Sequence, residues 1–207
     1  MIAAHNASVL IDFLLPAPCV VCGKLPKPLC RQCWPRPISG HERLAEEQLF
    51  FSAELEGGCE TLIKCYKDNS RLVLERPLGE LLQHSILRAA IQDFDCYAIP
   101  PKNSNNFRRR GFDPLHRLVQ RTSLTDFPRL RVTSNRKLAD QRKLSYSQRQ
   151  QNLVGAFEVN PGQGRVLVVD DVVTTGATLR ELKRACQQAG YEVAGFCVIA
   201  RRFGIAL

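Results

Sequence analysis

The chain has 207 residues, room for one domain of ordinary size plus a small appendage. With 44% hydrophobic and 24% charged residues it has the make-up of a globular protein that buries a real core, and no apolar run approaches the ~20 residues that a membrane span needs. The formal charge of +9 is concentrated: between Lys102 and Gln151 stand 13 lysines and arginines against three aspartates, a balance of +10, while the rest of the chain sums to −1. Charge of one sign over a quarter of the chain points to a polyanionic partner, with a solvated basic face as the alternative.

The start, MIAAHNASVLIDFLLPAPC, has no basic leading region and runs straight into a cysteine motif. It therefore reads as structure and not as a signal peptide, and a cytoplasmic location is expected. Four of the nine cysteines form two C-x2-C knuckles, Cys19/Cys22 and Cys30/Cys33, seven residues apart. Each knuckle puts two thiolates on one tight turn, and two such turns make a tetrahedral all-thiolate site for a structural Zn²⁺ with no open position. An iron–sulfur cluster and a redox pair are the competing occupants. Residues 1–40 are expected to form this zinc-ribbon module, and such a short segment would need its metal to fold. Trp34 either packs on the knuckle or stacks a base. The other five cysteines stand singly, as small core residues and reduced thiols suit.

Residues 41–67 read as a mixed, polar stretch. From Leu72 to Ile91 the spacing of Leu74, Leu78, Leu81, Leu82 and Ile86 predicts a helix with Pro77 near its start. A short strand over 93–100 stops at Pro100-Pro101, and NSNNFRRRGF follows as a basic loop. PLHRLVQRT predicts a helix with Pro114 in its first turn. LRV at 130–132 suggests a strand, and 133–152 a long, polar, mobile segment. GAFEV, PGQG and RVLVVDD then read as strand, turn and buried strand. TLRELKRACQQAG reads as a helix ended by Gly190, and EVAGFCVIARR as a closing strand. Strand, helix and strand at this spacing predict a parallel sheet of the α/β class.

The buried strand ends in Asp170-Asp171, where open α/β sheets bind ligands. Two adjacent buried carboxylates need hydroxyl donors or a cation, and a ribose diol supplies two hydroxyls. Thr174, Thr175, Gly176, Ala177 and Thr178 then form a turn into a helix, whose backbone N–H groups suit a phosphate. Diol beside monophosphate describes ribose 5-phosphate. There is no GxxxxGK[ST] and no GxGxxG after a strand, which removes the P-loop and dinucleotide readings.

VLVVDDVVTTGAT resembles the signature of type I phosphoribosyltransferases, whose ligand is phosphoribosyl pyrophosphate (PRPP) with Mg²⁺. With the knuckle pair ahead of it, FRRRGF in the middle, and Arg136, Gln141, Leu144, Arg149, Asn152, Ala156 and Phe157 in family spacing, the chain is similar to the ComF family of DNA-uptake (competence) proteins. Where that family has Asn-Gln after RGF, this chain has Asp113-Pro114. The resemblance implies a type I phosphoribosyltransferase-like domain over 41–207, in which a mobile basic loop at about 133–152 closes over PRPP. Asp170 and Asp171 would hold the ribose hydroxyls, with Val172 beside them, and Thr174–Thr178 the 5-phosphate. Pro101 and Lys102 would face the pyrophosphate. Lys102, Arg142, Lys143 and Arg149 are candidates to stabilise the departing charge, and Asp170, Asp171 and Lys143 are the catalytic candidates.

The same basic residues could serve a second ligand. Arg108, Arg109 and Arg110 between Phe107 and Phe112, together with Arg142, Lys143 and Arg149, have the arginine-plus-aromatic pattern of single-stranded nucleic acid binding, with Phe107 and Phe112 as core anchors of the loop the alternative. Two main readings stay open, with a nucleotide-sensing regulator as a third. One is a competence protein that binds single-stranded DNA and holds PRPP–Mg²⁺, its zinc module either docking a helicase-type partner or covering the pocket. The other is a phosphoribosyltransferase for a small base-like acceptor. The second needs a hood over the pocket to read that acceptor, and no segment of the sequence reads convincingly as one.

Overall fold

A computed structural model describes residues 17–90, 93–135 and 153–203. Its centre is a sheet in the order β1-β2-β8-β6-β3. Strands β2 (Glu47–Glu54), β8 (Glu192–Arg201), β6 (Arg165–Val169) and β3 (Cys96–Ala98) run parallel, and β1 (Gly40–Leu44) lies antiparallel on the β2 edge. A two-residue strand, β7 (Val172–Val173), also pairs with β8, and β4 (Val132–Ser134) pairs with β5 (Phe157–Val159) in a separate ribbon.

Period-two alternation sorts the central strands onto two cores. Leu167, Val169, Cys197 and Ile199 face α1 (Gly57–Asp68), α2 (Glu75–Ala89) and α4 (Pro114–Val119). Val166, Val168, Phe196 and Val198 face α5 (Ala177–Gln188) and the β4–β5 ribbon. Because both faces are covered, these strands read as continuous apolar runs. The α/β architecture expected from the sequence is the one observed.

Several local expectations are corrected. Residues 41–67, taken as a polar stretch, fold into most of β1, β2 and α1; Leu62, Ile63 and Tyr66 of α1 are buried. The predicted basic loop contains a helix, α3 (Ser104–Arg110), because the Asn103 side chain accepts the N–H groups of Asn105 and Asn106 and caps its start. Gly111, at φ 76°, ends it. The helix expected over 72–91 is a short 3-10 turn at Leu72–Leu74 followed by α2, and the strand expected at 130–132 begins only at its last residue, Val132, as β4. Readings placed on 1–16 and 136–152 lie outside the described residues.

Two buried carboxylates brace the helices. Glu75 on α2 accepts from Arg117 Nε (2.5 Å) and Arg121 Nε (2.7 Å) across to α4. Glu181 on α5 accepts the backbone N–H groups of Gly155 (3.0 Å) and Phe157 (2.9 Å), while Arg184 pairs with Glu181 and donates to the Phe157 carbonyl (2.8 Å). Glu181→Ala would leave two backbone donors without their acceptor, at about 1–3 kcal/mol each when buried. A urea titration should therefore show the variant less stable by about 2–4 kcal/mol, with the larger part expected from the fully buried Phe157 N–H.

Candidate functional site

The site is built where β6 runs out. Asp170 and Asp171 occupy the break between β6 and β7, and both stay tethered to β8. The Asp170 N–H donates to the Cys197 carbonyl (3.0 Å), and the Asp171 carbonyl accepts from Ile199 N–H (3.0 Å). The Asp170 carboxylate accepts the Asp171 N–H (2.8 Å). The turn that follows is shaped by Thr175, whose hydroxyl accepts from Ala177 N–H (3.2 Å), and by Gly176 at φ 72°. A side chain at Gly176 would be strained by that backbone, and its Cβ would lie 2.9 Å from Leu44 Cδ1. The edge strand β1 thus supports the turn from behind.

Three further elements wall a cavity of about 600 Å³ above the acids. The inner face of α1 contributes Glu60, Ile63, Lys64, Lys67 and Asp68; the turn after β3 contributes Pro100, Pro101 and Lys102; α3 contributes Asn106, Phe107 and Arg110. Lys67 forms an ion pair with Asp171, and both side chains are largely withdrawn from solvent. Burial, and then the neighbouring Asp171 charge, push the Asp170 carboxyl well above its usual range, with Lys67 pulling it partly back.

Of the residues singled out from the sequence, Asp170, Asp171, Val172, Thr174, Thr175, Ala177, Thr178, Pro101 and Lys102 line this one cavity. Gly176 shapes the turn from below. The three arginines of FRRRGF separate: Arg110 turns into the cavity and donates to Asp68 (3.1 Å), whereas Arg108 and Arg109 are exposed. Arg142, Lys143 and Arg149 lie outside the described residues. Sequence reasoning missed the α1 wall and Arg202, which donates to Glu60 (2.9 Å) at the rim. The signal was present in Leu62, Ile63 and Tyr66, a helical stripe directly after the apolar run of β2.

The four cysteine sulfurs lie within 4.8 Å of one another, with Cys22 Sγ and Cys30 Sγ 3.7 Å apart. Four thiolates 2.3 Å from a tetrahedral Zn²⁺ would be separated by ~3.8 Å, so the spacing fits such an ion. Burial alone would raise the Cys19 thiol, yet backbone N–H groups of Cys30, Cys22 and Val21 outweigh it and hold that thiol down at about 6. The sulfurs of Cys30 and Cys22 push Cys33 up to about 12, since crowded sulfurs resist a further negative charge. A cation removes that conflict, and the cluster can hold a metal ion. Trp34 donates to Glu80 Oε2 (3.1 Å) and lies under Arg76, so it packs against α2.

Residues 118–203 match the model of the phosphoribosyl transferase domain. The chain is 33% identical over 144 residues to Competence protein F of Haemophilus influenzae, covering 63% of this chain and 62% of that protein. It is 30% identical over 192 residues to DNA utilization protein YhgH of Escherichia coli, covering 83% of this chain and 85% of that one. A shorter match, 50% over 48 residues, is to adenine phosphoribosyltransferase of Clavibacter michiganensis subsp. michiganensis and covers 21% of this chain and 27% of that enzyme.

Two outcomes follow for the site. The folded chain holds a proton on Asp170 at pH values where the unfolded chain, near 3.8, has released it. Stability from this group therefore falls as pH rises through the window above 3.8. Thermal melts across that window should show Asp170→Asn with a flatter pH dependence and a higher melting temperature than the parent on the alkaline side. Metal analysis should find about one metal ion per chain, lost in Cys30→Ser.

Proposed function

Because the chain belongs to the ComF family, alongside competence protein F and DNA utilization protein YhgH, we propose that it is a DNA-uptake protein that binds single-stranded DNA and holds PRPP with Mg²⁺. The observation that carries the pocket reading is the cavity of about 600 Å³ at the carboxyl ends of parallel strands, with an acid pair beside a hydroxyl-lined turn. The ribose hydroxyls donate to Asp170 and Asp171. The 5-phosphate takes the Thr174–Thr178 turn, where backbone N–H groups and the start of α5 favour an anion. The pyrophosphate lies along Pro101 and Lys102, with Arg110 as a second cation. Arg142, Lys143 and Arg149 remain candidates for the same charge. Mg²⁺ suits the carboxylate oxygens of Asp170 and Asp171 and, when bound, neutralises charge developing on a departing pyrophosphate.

DNA contacts belong to the outer side of the same wall. Exposed Arg108 and Arg109, with Phe107 37% exposed, give phosphate forks beside a stacking ring. One helix, α3, therefore faces the cavity with Arg110 and the solvent with its neighbours, a route by which PRPP and DNA would influence each other. The segment around Cys19, Cys22, Cys30 and Cys33 is a module held by structural Zn²⁺, on whose outer surface we place a helicase-type partner. Among the described residues no helix is long and apolar enough to cross a membrane, and we assign the protein to the cytoplasm.

A specific observation favours a second reading. Leu55, Ile63 and Phe112 give the cavity an apolar face near the acids, as an enzyme transferring phosphoribose to a small base-like acceptor requires. Titration of labelled single-stranded DNA, with and without PRPP and Mg²⁺ at two salt concentrations, separates the two. A DNA-handling protein shows salt-sensitive binding that PRPP modulates. Arg108→Ala with Arg109→Ala should reduce the salt slope by about 2. Saturable PRPP binding without DNA binding supports the enzyme. In either case Asp170→Asn with Asp171→Asn should abolish PRPP binding, measured by calorimetry, while leaving the fold intact by circular dichroism.

A further inference from the structure

From Arg108 to Arg131 the chain carries seven arginines against two aspartates. Acids on other elements engage three of them. Arg110 donates to Asp68 (3.1 Å), and Arg117 and Arg121 donate to the buried Glu75. Arg108 and Arg109 are the exposed pair on α3, where Arg109 approaches Asp68 only to 3.7 Å. Arg129 and Arg131 stand at the far end of the run, and they too are exposed. Of the two aspartates, Asp113 caps α4 by accepting the His116 N–H (3.2 Å), which leaves Asp126 as the other acid on this stretch.

The edge of the sheet sets the direction of the second pair. Residues 128–130 lie along β3: Tyr97 N–H donates to the Pro128 carbonyl (3.0 Å), Leu130 N–H donates to the Tyr97 carbonyl (2.8 Å), and Arg129 stands beside Tyr97. Side chains alternate along such backbone. Leu130 and Val132 turn to the core shared with α5, which leaves the opposite side to Arg129 and Arg131. There Arg129 Nη1 donates to His116 Nδ1 (3.1 Å) in the first turn of α4. An imidazole nitrogen fixes the guanidinium without cancelling its charge, as a carboxylate would. Only residues 111–113 separate α4 from α3, so the two arginine pairs belong to one surface.

Phe127 adds a ring to the far end. It is 37% exposed, and it packs on half-buried Phe94 with centroids 4.6 Å apart. The packing holds the ring still, and the exposure leaves area for a base. We propose that Phe127, Arg129 and Arg131 form a second contact for single-stranded DNA, and that the strand runs from Phe107, Arg108 and Arg109 past the start of α4 to Phe127. The track rests on the DNA reading above and extends it from one helix to a path with a stacking ring at each end. Guanidinium forks take phosphates and rings take bases, a division that tolerates any sequence.

The test is fluorescence anisotropy of a labelled oligothymidine of about sixteen nucleotides, a full single-strand site, at several salt concentrations. Phe127→Leu keeps an apolar contact with Phe94 and loses the aromatic face, and it should weaken binding about tenfold, the worth of one base stack. Phe127→Trp should restore the affinity. Its introduced indole should be quenched by unlabelled oligonucleotide beyond any change in the parent. Arg129→Ala with Arg131→Ala should reduce the salt slope by as much as Arg108→Ala with Arg109→Ala does. A merely structural role for Phe127 would lower the melting temperature and leave the indole unmoved by DNA.

Unchanged affinity and salt slope in the Phe127 and Arg129/Arg131 variants, with loss in the Arg108/Arg109 variant, would overturn the track and leave α3 as the DNA site. Equal affinity for a duplex of the same length would also overturn it, because paired bases cannot stack on Phe127. A parent protein that binds no single-stranded DNA would overturn the DNA reading and the track with it.

Discussion

Two carboxylates held side by side at the end of a buried strand are the constraint around which this molecule is arranged. Asp170 and Asp171 could not occupy that place on an isolated strand, because desolvation and mutual repulsion oppose both charges. The fold answers with three supports from different parts of the chain. β8 holds the backbone of the pair, the Asp171 N–H satisfies one carboxylate, and Lys67 reaches the other from α1. The cost that remains on Asp170 is what a bound ligand can relieve, which is why a ligand and the acid pair belong together.

Lys67 can play its part only if α1 is held against the sheet, and here the cysteine knuckles matter. Cys19 and Leu29 are buried in the same core as Leu62, Ile63 and Tyr66, with Val20, Val21 and Trp34 packed against it. Val21 also lies so close to the start of α1 that a Cβ on Gly58 would be 3.3 Å from it. A metal bound by the four sulfurs would stiffen the backing of α1 and act on the pocket through packing. The chemistry of an all-thiolate ion, with no open position, agrees with such a supporting role.

Much of this was legible in the sequence, and what was not has physical causes. RVLVVDD announces a buried strand ending in acids because both of its faces are covered, so the apolar run is unbroken. The knuckles are legible because their spacing is fixed by ligand geometry. The α1 wall was hidden because GGCETLIKCYKD carries a narrow apolar stripe among polar residues, and its key residue is a lysine that the sequence cannot distinguish from any surface lysine. The three consecutive arginines pose the same difficulty. Successive residues of a helix point about 100° apart, so a helical FRRR must divide its arginines between faces. Only the placement of α3 shows that Arg110 is the one turned inward.

Asn135, just beyond β4, is tied to the residues that precede β5. Asn135 donates its side-chain amide to the Gly155 carbonyl (2.8 Å) and its N–H to the Ala156 carbonyl (3.1 Å), beside the β4–β5 pairing and above the Glu181 brace. Gly155 thus gives its carbonyl to Asn135 and its N–H to Glu181, so a single glycine ties the β4–β5 ribbon to α5, the helix whose first turn borders the acid pair. A substitution that loosens either tie would reach the site through α5 without altering any residue that lines the cavity.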